Sequence, residues 1–433
     1  MIGTSKQSTS ARLGRAVPFV STALSAALLA ACGGGGGSSG PTVPPASTLR
    51  VTAAMSNSGY GYTEVPALTW SSIGASQVDL TACTTAGLNA ANIGTSGNKQ
   101  FAAGATAGTY SCTLRGVALD GSSTTTTVTW AVAAPAAATL VTSVPPPSYP
   151  AGDGRIDGFN YLNGARGRCG WGMLKHDTRL DQAAVDHAHY MAVNMDQGGK
   201  KFDEVYKHTQ TPGWLGYTGV TGTDRAAYRG YPVGYVADLL DGGGTPSASY
   251  LNFFDEETAG FINSTYHGLG VLGVATDLGM AYDASITSGF FVFNIGVSAT
   301  IASAQLPAGD AVQTYPCEGE SGIATAHGGE IPNPLPSRDW GTNPVGGPIL
   351  IAVRQGQALT VTSVTMAPVG GAPLTGTLIT SANDVNRYLQ SNQAAWLPDG
   401  RLQRLTRYSV TIKGTNGAVP FTKSFTFTTW DQV

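Results

Sequence analysis

The sequence predicts a multidomain protein in which a central α+β unit is flanked by two all-β sandwiches. Short runs of alternating apolar residues, separated by turn residues at roughly 8–12-residue spacing, occupy 48–133 and return at 349–433. Over 155–300 the apolar spacing becomes helical and then strand-like, which is typical of helices layered on a sheet. The segments 134–154 and 301–348 are predicted as a linker and an extended connector.

Residues 1–31 have the composition of a cleavable export signal. Basic residues precede an apolar stretch of roughly 16 residues, which is too short to span a bilayer. The end of the stretch, Leu-Ala-Ala-Cys, resembles a bacterial lipobox, and this resemblance implies that Cys32 is lipidated and becomes the new N-terminus. Ordinary cleavage with a free cysteine is the alternative.

The lipobox resemblance also predicts where the protein is held. Acyl chains on Cys32 anchor a chain stably in a membrane, and residues 32–47, rich in Gly, Ser and Pro, form a flexible tether behind them. Gly33, in place of the aspartate that favours inner-membrane retention, implies an outer-membrane lipoprotein that faces the periplasm or the cell surface. The formal charge of −3 and the 12% of charged residues argue against a nucleic-acid partner.

Apart from Cys32, four cysteines remain for an oxidising compartment: Cys83, Cys112, Cys169 and Cys317. Four cysteines permit three pairings. Proximity in the chain favours Cys83 with Cys112, which leaves Cys169 to pair with Cys317. Because neither a CxxC pair nor a Cys/His cluster with structural-zinc spacing occurs, we interpret the cysteines as disulfide partners.

The first β-rich segment, 48–133, resembles an immunoglobulin-like domain. Trp70 precedes Cys83, and Tyr110 stands two residues before Cys112. The resemblance implies a disulfide between the two sheets and a tyrosine corner, although the tryptophan precedes both cysteines instead of lying between them. It implies no ligand.

The central unit resembles the CAP (SCP) domain of cysteine-rich secretory proteins, antigen 5 and pathogenesis-related 1 proteins. The resemblance covers about 155–297, roughly a third of the chain, and it is carried by the order of several motifs. These are FNYLNGARGRCGWGMLKHDTRLDQAAVDHAHYMAVNMD, then His208-Thr209, then GWLGYTGVTGTDRAAYRGY, and finally Tyr266-His267 before VLGVAT. The fold that the resemblance implies is an α-β-α sandwich.

In that family two histidines and two acidic residues face an open groove and hold a divalent ion. The matching histidines are His208 and His267, but the family's acids are not matched, since Tyr235 and Gln210 stand in their places. Two imidazoles without an assured carboxylate bind zinc weakly, so no cofactor is assured and zinc is kept as an alternative. The remaining groove candidates are Thr209, Gln210, Tyr235, Tyr266, Glu256 and Glu257, of which the last two are the nearest source of a carboxylate.

The other histidines favour structural interpretations. His187 lies on the apolar face of a predicted helix and is expected to be a buried histidine with satisfied hydrogen bonds. His176 and His327 are single loop histidines, which we expect to be exposed.

The sequence therefore predicts a surface-exposed, lipid-anchored, non-enzymatic binding module with a groove around His208 and His267. Its expected ligand is a lipid, a cell-wall component or a host-surface molecule. No catalytic residue is assured. The alternative is a metal-assisted hydrolase that uses the same histidines, with a bound water or the hydroxyl of Thr209 as nucleophile. A purely structural spacer is the third interpretation.

Overall fold

The computed structural model describes residues 48–242, 260–283, 289–299, 304–327, 329–340 and 342–431. Within these residues the chain forms five α-helices and nineteen strands, and the strands assemble into five small sheets. No helix in the described ranges has both the length and the apolar character needed to cross a membrane. The predicted signal peptide, the tether and Cys32 lie outside the described residues.

Residues 48–133 form two sheets that enclose one hydrophobic cluster, with Leu68, Leu114 and Trp130 at its centre. The three-stranded sheet has the order β1-β3-β5, and the four-stranded sheet has the order β2-β7-β6-β4. The strands are β1 (Arg50–Met55), β2 (Gly59–Tyr60), β3 (Ala67–Ile73), β4 (Gln77–Thr81), β5 (Ser96–Gln100), β6 (Gly108–Val117) and β7 (Ser123–Val132).

Two details of this sandwich bear on the immunoglobulin resemblance. The hydroxyl of Tyr110 donates to the carbonyl of Thr106, which is the contact of a tyrosine corner. The disulfide Cys83–Cys112 differs from the implied one, because Cys83 follows β4 and Cys112 lies on β6, which pair within one sheet. The disulfide therefore joins neighbouring strands and not the two sheets.

The linker 134–154, which we call the strap, contains no helix or strand but is hydrogen-bonded along its length. Gly309 N donates to Ala136 O, and Thr139 N donates to Leu306 O. Further on, Met173 N donates to Val141 O. The strap therefore lies against the central unit and against the chain that leads into the C-terminal sheets.

The central segment contains one four-stranded sheet, of order β8-β10-β11-β9, and all five helices of the described chain. The long helix α2 packs on β10 and β11, and Gly279 permits this approach because a Cβ there would lie 2.3 Å from Asp181 N. The elements are α1 (Arg155–Arg168), β8 (Lys175–His176), α2 (Thr178–Asp196), α3 (Phe202–Val205), α4 (Gly222–Tyr228), β9 (Val233–Gly242), α5 (Tyr266–Val271), β10 (Asp277–Asp283) and β11 (Phe290–Ser298).

The C-terminal segment consists of two four-stranded sheets, β12-β14-β17-β16 and β13-β19-β18-β15. Two of their strands, β12 and β13, come from 301–348, which the sequence predicts as a connector. The disulfide Cys169–Cys317 ties the end of α1 to this segment. The strands are β12 (Val312–Tyr315), β13 (Glu320–Ile323), β14 (Ile349–Val353), β15 (Leu359–Pro368), β16 (Gly376–Thr380), β17 (Gln393–Pro398), β18 (Arg407–Asn416) and β19 (Val419–Thr429).

The prediction of a central α-β-α sandwich is wrong. The described chain is mostly β, because it holds more strand than helix and its strands form five small sheets. Apolar residues of α1, α5, β10 and β11 belong to one hydrophobic cluster that continues through β14 and β17. The cluster is continuous because of β14, whose five residues are all buried. Leu350 of this strand lies against α5, since a Cβ added to Gly268 of that helix would be only 2.7 Å from the Leu350 side chain. We call the described residues between 155 and 431 the main body.

Candidate functional site

A cavity of about 630 Å³ opens between the central segment and the C-terminal sheets. Its walls come from β9, α5 and β14, and from the chain that leads from Tyr388 to Gln393. His208 and His267, which are 59 positions apart in the chain, both line it (267 − 208). The structure therefore brings the two predicted histidines to one cavity.

His208 lies between α3 and α4 and is held against β9. Its Nδ1 is 3.2 Å from Asp238 Oδ1, and the other oxygen of that carboxylate accepts from Arg225 Nη2 at 2.6 Å. Arg225 is fully buried and also donates to the His208 carbonyl, so it fixes both the carboxylate and the loop. The hydrogen bond with Asp238 raises the pKa of His208 above its ordinary value.

Asp238 lines the cavity, but its side chain is only 6% exposed. Burial opposes its ionisation, but the hydrogen bond with His208 and the charges of His187 and Arg225 outweigh that effect, and its pKa is lowered. The side chain is therefore ionised, and the neighbouring protein groups compensate its negative charge.

His267 is the second residue of α5, and a different carboxylate lies behind it. Its Nδ1 is 3.4 Å from Glu330 Oε2, without an aligned hydrogen bond. The fully buried Glu330 side chain accepts from the backbone amides of Thr265, Tyr266 and His267, and His327 Nε2 lies 3.4 Å from it. Burial lowers the pKa of His267, and the charge of His208 lowers it further.

The two imidazoles therefore have opposite electrostatic settings at one cavity. His208, whose side chain is 55% exposed, has a raised pKa, and His267, at 19%, has a lowered one. Titratable groups whose environments move their pKa values apart are the arrangement that acid–base chemistry uses. With these pKa directions, His208 can donate a hydrogen bond to a bound molecule and His267 can accept one.

The other groove candidates divide into three groups. Thr209, Tyr235 and Tyr266 line the cavity. Gln210 does not, because it is buried behind the loop, where its Oε1 accepts from Thr218 N and its amide nitrogen is 3.3 Å from His187 Nδ1. Glu256 and Glu257 lie outside the described residues.

Tyr266 is fixed at the cavity rim by the C-terminal sheets. Its hydroxyl donates to Asp384 Oδ1 at 2.5 Å and accepts from Asn386 Nδ2 at 3.0 Å. Its ring lies 5.2 Å from the ring of Tyr388, and burial together with Asp384 raises its pKa. The rim is therefore a composite of two segments of the chain.

Sequence reasoning missed both carboxylates behind the histidines. Asp238 lies inside the strand VGYVADLLDG, which is largely apolar, and an acid within such a strand was the signal that could have pointed to it. Glu330 lies in the predicted connector, where nothing in the sequence indicates that it meets α5. The predicted exposure of His176 and His327 is wrong, because both side chains are buried against carboxylates, at 3% and 0%. His187 is buried as expected, and its Nε2 lies 2.9 Å from the Lys207 carbonyl.

The donor groups at the cavity fit a metal ion only in part. Both histidines have a carboxylate near Nδ1, which is the outer partner that metal-binding histidines have, and this leaves Nε2 of each for a ligand. Among the described residues, however, three ligating groups come within reach of one ion only at Cys169, Cys317 and Glu320. The two sulfurs there form a disulfide, so that group is not a metal site.

The cavity wall at the end of α5 is fixed from behind by Arg166. This side chain is fully buried, and its guanidinium donates to the carbonyls of Trp171, Gly172, Val271, Gly273 and Ala275. Each of these bonds is charge-assisted and therefore stronger than a neutral one. The guanidinium thus joins two loops into one rigid wall.

Neither models of protein families nor curated proteins match this sequence. The resemblance to the CAP family, and the place of His208 and His267 within it, therefore stay predictions from the sequence. The geometry of the cavity stands independently of that resemblance.

Proposed function

We propose that the protein is a lipid-anchored binding module of the cell envelope, whose cavity takes an amphiphilic ligand with a hydroxyl- or amide-bearing head. The cavity shared by His208 and His267 carries the proposal. Its volume of about 630 Å³ and its position between two segments are typical of ligand sites. The predicted leader and Cys32 support the anchored location.

The lining of the cavity supports an amphiphilic ligand. Apolar side chains cover much of the wall, and the polar groups that line it include the two imidazoles, Thr209 and Tyr235. Because Asp238 and Glu330 are occupied by protein groups, they offer little to a cationic ligand. An envelope lipid, or a cell-wall fragment with an apolar part, fits this lining. The apolar residues that line the cavity include Val236, Leu239, Leu269, Leu272, Ile295, Val297, Val353 and Leu389.

Gly270 offers a direct test. It lies on α5, lines the cavity, and a Cβ there would meet nothing within 4 Å. Gly270→Phe therefore adds a large side chain at the cavity from a Cβ that has room, and the helix gains about 1 kcal/mol or less from the loss of glycine. The measurement uses residues 48–433, which lack Cys32 and so cannot bind vesicles through an acyl anchor. We expect at least tenfold weaker binding of vesicles made from envelope lipids, or of soluble peptidoglycan fragments, with a melting temperature that is not lowered.

Gly87→Phe is the matched control, since a Cβ at Gly87 also meets nothing within 4 Å and the residue lies in the N-terminal sandwich. It should bind both probes as the native chain does. The proposal fails if the native chain binds neither probe, or if Gly270→Phe binds as tightly as Gly87→Phe.

The second candidate function is a metal-assisted hydrolase that uses the same histidines. It is favoured by the opposite pKa directions of His208 and His267 and by the carboxylate near each Nδ1. Zinc uptake by the purified chain separates the two functions. Stoichiometric zinc that is lost in His208→Ala and in His267→Ala would support the hydrolase, whereas ligand binding without zinc uptake would support the binding module.

A further inference from the structure

A second cluster of reactive side chains lies away from the cavity, where the strap crosses β8 and the start of α2. Ser148 Oγ is 2.9 Å from His176 Nδ1, and His176 Nε2 is 2.6 Å from Asp181 Oδ2. A hydroxyl, an imidazole and a carboxylate in this order are the parts of a nucleophile that is activated by an oriented base. These residues come from the strap, β8 and α2 respectively.

The protonation of the imidazole follows from its neighbours. The backbone amide of Ser148, which can only donate, lies 3.0 Å from His176 Nδ1. Because Nδ1 must accept, the neutral ring carries its proton on Nε2 and donates it to Asp181. The ring therefore presents a lone pair toward the serine hydroxyl.

The carboxylate is held on its other side as well. Asp181 Oδ1 accepts from the Tyr149 hydroxyl at 2.7 Å and from Met280 N at 2.8 Å, so only Oδ2 is directed at the imidazole. The Tyr149 ring lies 4.1 Å from the ring of His176, whose side chain is 3% exposed. Ser148 itself is exposed to solvent. The base is thus buried and oriented, and the hydroxyl is accessible.

We propose that Ser148 is a nucleophile toward small acyl esters, with His176 as its base and Asp181 as the positioning residue. Ser148 Oγ bonds to the acyl carbon while its proton passes to His176 Nδ1. That proton then passes to the departing alkoxide oxygen as the carbon–oxygen bond breaks. Water releases the acyl group by the same route: His176 takes the proton of the attacking water and returns it to Ser148 Oγ.

The amide of Ser148 limits the rate of this reaction. The amide and the hydroxyl share one lone pair of Nδ1, and protonation of Nδ1 displaces the amide. We therefore expect slow ester turnover. Covalent labelling is the sharper measurement, because it requires a single attack.

The test is the reaction of the full chain with a fluorophosphonate, in which the serine oxygen bonds to phosphorus and fluoride departs. Mass spectrometry should find one phosphoryl group per chain, and peptide mapping should place it on Ser148. Ser148→Ala should remain unlabelled. Ser143→Ala, which alters another exposed serine of the strap, should be labelled at the native rate.

His176→Asn separates the base from a structural role. Its side-chain oxygen still accepts from the Ser148 amide, but it cannot take up a proton at neutral pH. Because general-base catalysis contributes about 10²–10⁴-fold, labelling should fall at least a hundredfold in a chain that is still folded, although the lost hydrogen bond to Asp181 lowers its melting temperature. A native chain that is not labelled at Ser148, or native-rate labelling in folded His176→Asn, would overturn the proposal.

Discussion

The N-terminal sandwich and the main body bury their apolar residues in different ways. The core of the sandwich is drawn entirely from residues between Val51 and Val132. The largest cluster of the main body instead runs from α1 through the central sheet into β14 and β17. Alternation in a sequence therefore predicts which face of a strand is buried, but not which segment of the chain covers that face.

The comparison predicts, first, unequal effects of the two disulfides. Cys169–Cys317 closes a separation of 148 residues and Cys83–Cys112 one of 29. The chain-entropy model then gives losses of about 5 kcal/mol for Cys169→Ala/Cys317→Ala and about 4 kcal/mol for Cys83→Ala/Cys112→Ala. Calorimetry should show two transitions, one for the N-terminal sandwich and one for the main body. Each double variant should lower the melting temperature only of the region that contains its disulfide. A loss in both transitions from either variant would mean that the two regions do not unfold separately.

A core truncation tests whether the main body is one cooperative unit. Leu350 is fully buried on β14 and contacts α5, so Leu350→Ala should cost roughly 2–5 kcal/mol across the whole main body. Hydrogen exchange should rise in the central sheet as well as in the C-terminal sheets. Leu114→Ala is the control, because Leu114 is equally buried in the N-terminal sandwich. It should leave hydrogen exchange in the central sheet and in the C-terminal sheets unchanged. Exchange confined to the C-terminal sheets would contradict the shared core.

The two regions should also respond differently to acid, because all six histidines lie outside 48–133. Burial lowers the pKa of His187 to about 3 and also lowers that of His267. Below the unfolded-state value of about 6.5, the unfolded chain takes up protons that the folded chain does not. The raised pKa of His208 has the opposite effect, because it stabilises the folded chain. This stabilisation is already complete below the unfolded-state pKa, so it does not change as the pH falls further.

We therefore expect the main body to lose up to about 1.4 kcal/mol per pH unit between pH 6.5 and 5 from His187, with a further loss in the same direction from His267. Urea titrations at several pH values measure this slope, and the N-terminal transition should stay constant over the same range. His187→Gln should make the slope shallower. If the free energy of unfolding fell equally with pH in the N-terminal sandwich and in the main body, carboxyl groups and not histidines would be the cause.

The smallest expected effect belongs to the tyrosine corner. Tyr110→Phe removes the hydrogen bond to the Thr106 carbonyl, which should cost about 1 kcal/mol in the N-terminal transition alone. Thermal melts can resolve this change. Tyr408→Phe, which removes a hydroxyl bond to Gln403 N in the main body, is the complementary control and should lower only the other transition.

The sequence predicted those parts of the fold that depend on local pattern. The alternation over 48–133 became seven strands, and the helical spacing that includes His187 became α2. The shared core was not predictable, because β14 reads as an ordinary buried strand and nothing local shows that Leu350 meets α5. Long-range contacts of this kind have no signal in a single sequence.

The site follows the same division. His208 and His267 were found from the motif order of a family, and the structure places both at one cavity. Asp238 and Glu330 were missed, since they reach the histidines only through the pairing of β9 with β11 and through the passage of the connector beside α5. Gln210 was misplaced, because its position next to His208 and Thr209 in the chain does not reveal that it is buried behind the loop.

Arg166 has a consequence for how this cavity can change over evolutionary time. Its guanidinium satisfies five carbonyls at once, so the backbone around 271–275 is set by a residue that does not line the cavity. Side chains that line the cavity can therefore be substituted without displacing the backbone that carries them. Single substitutions there can alter the lining while the backbone stays in place, whereas lysine at 166, with three donors in place of five, could not hold all five carbonyls.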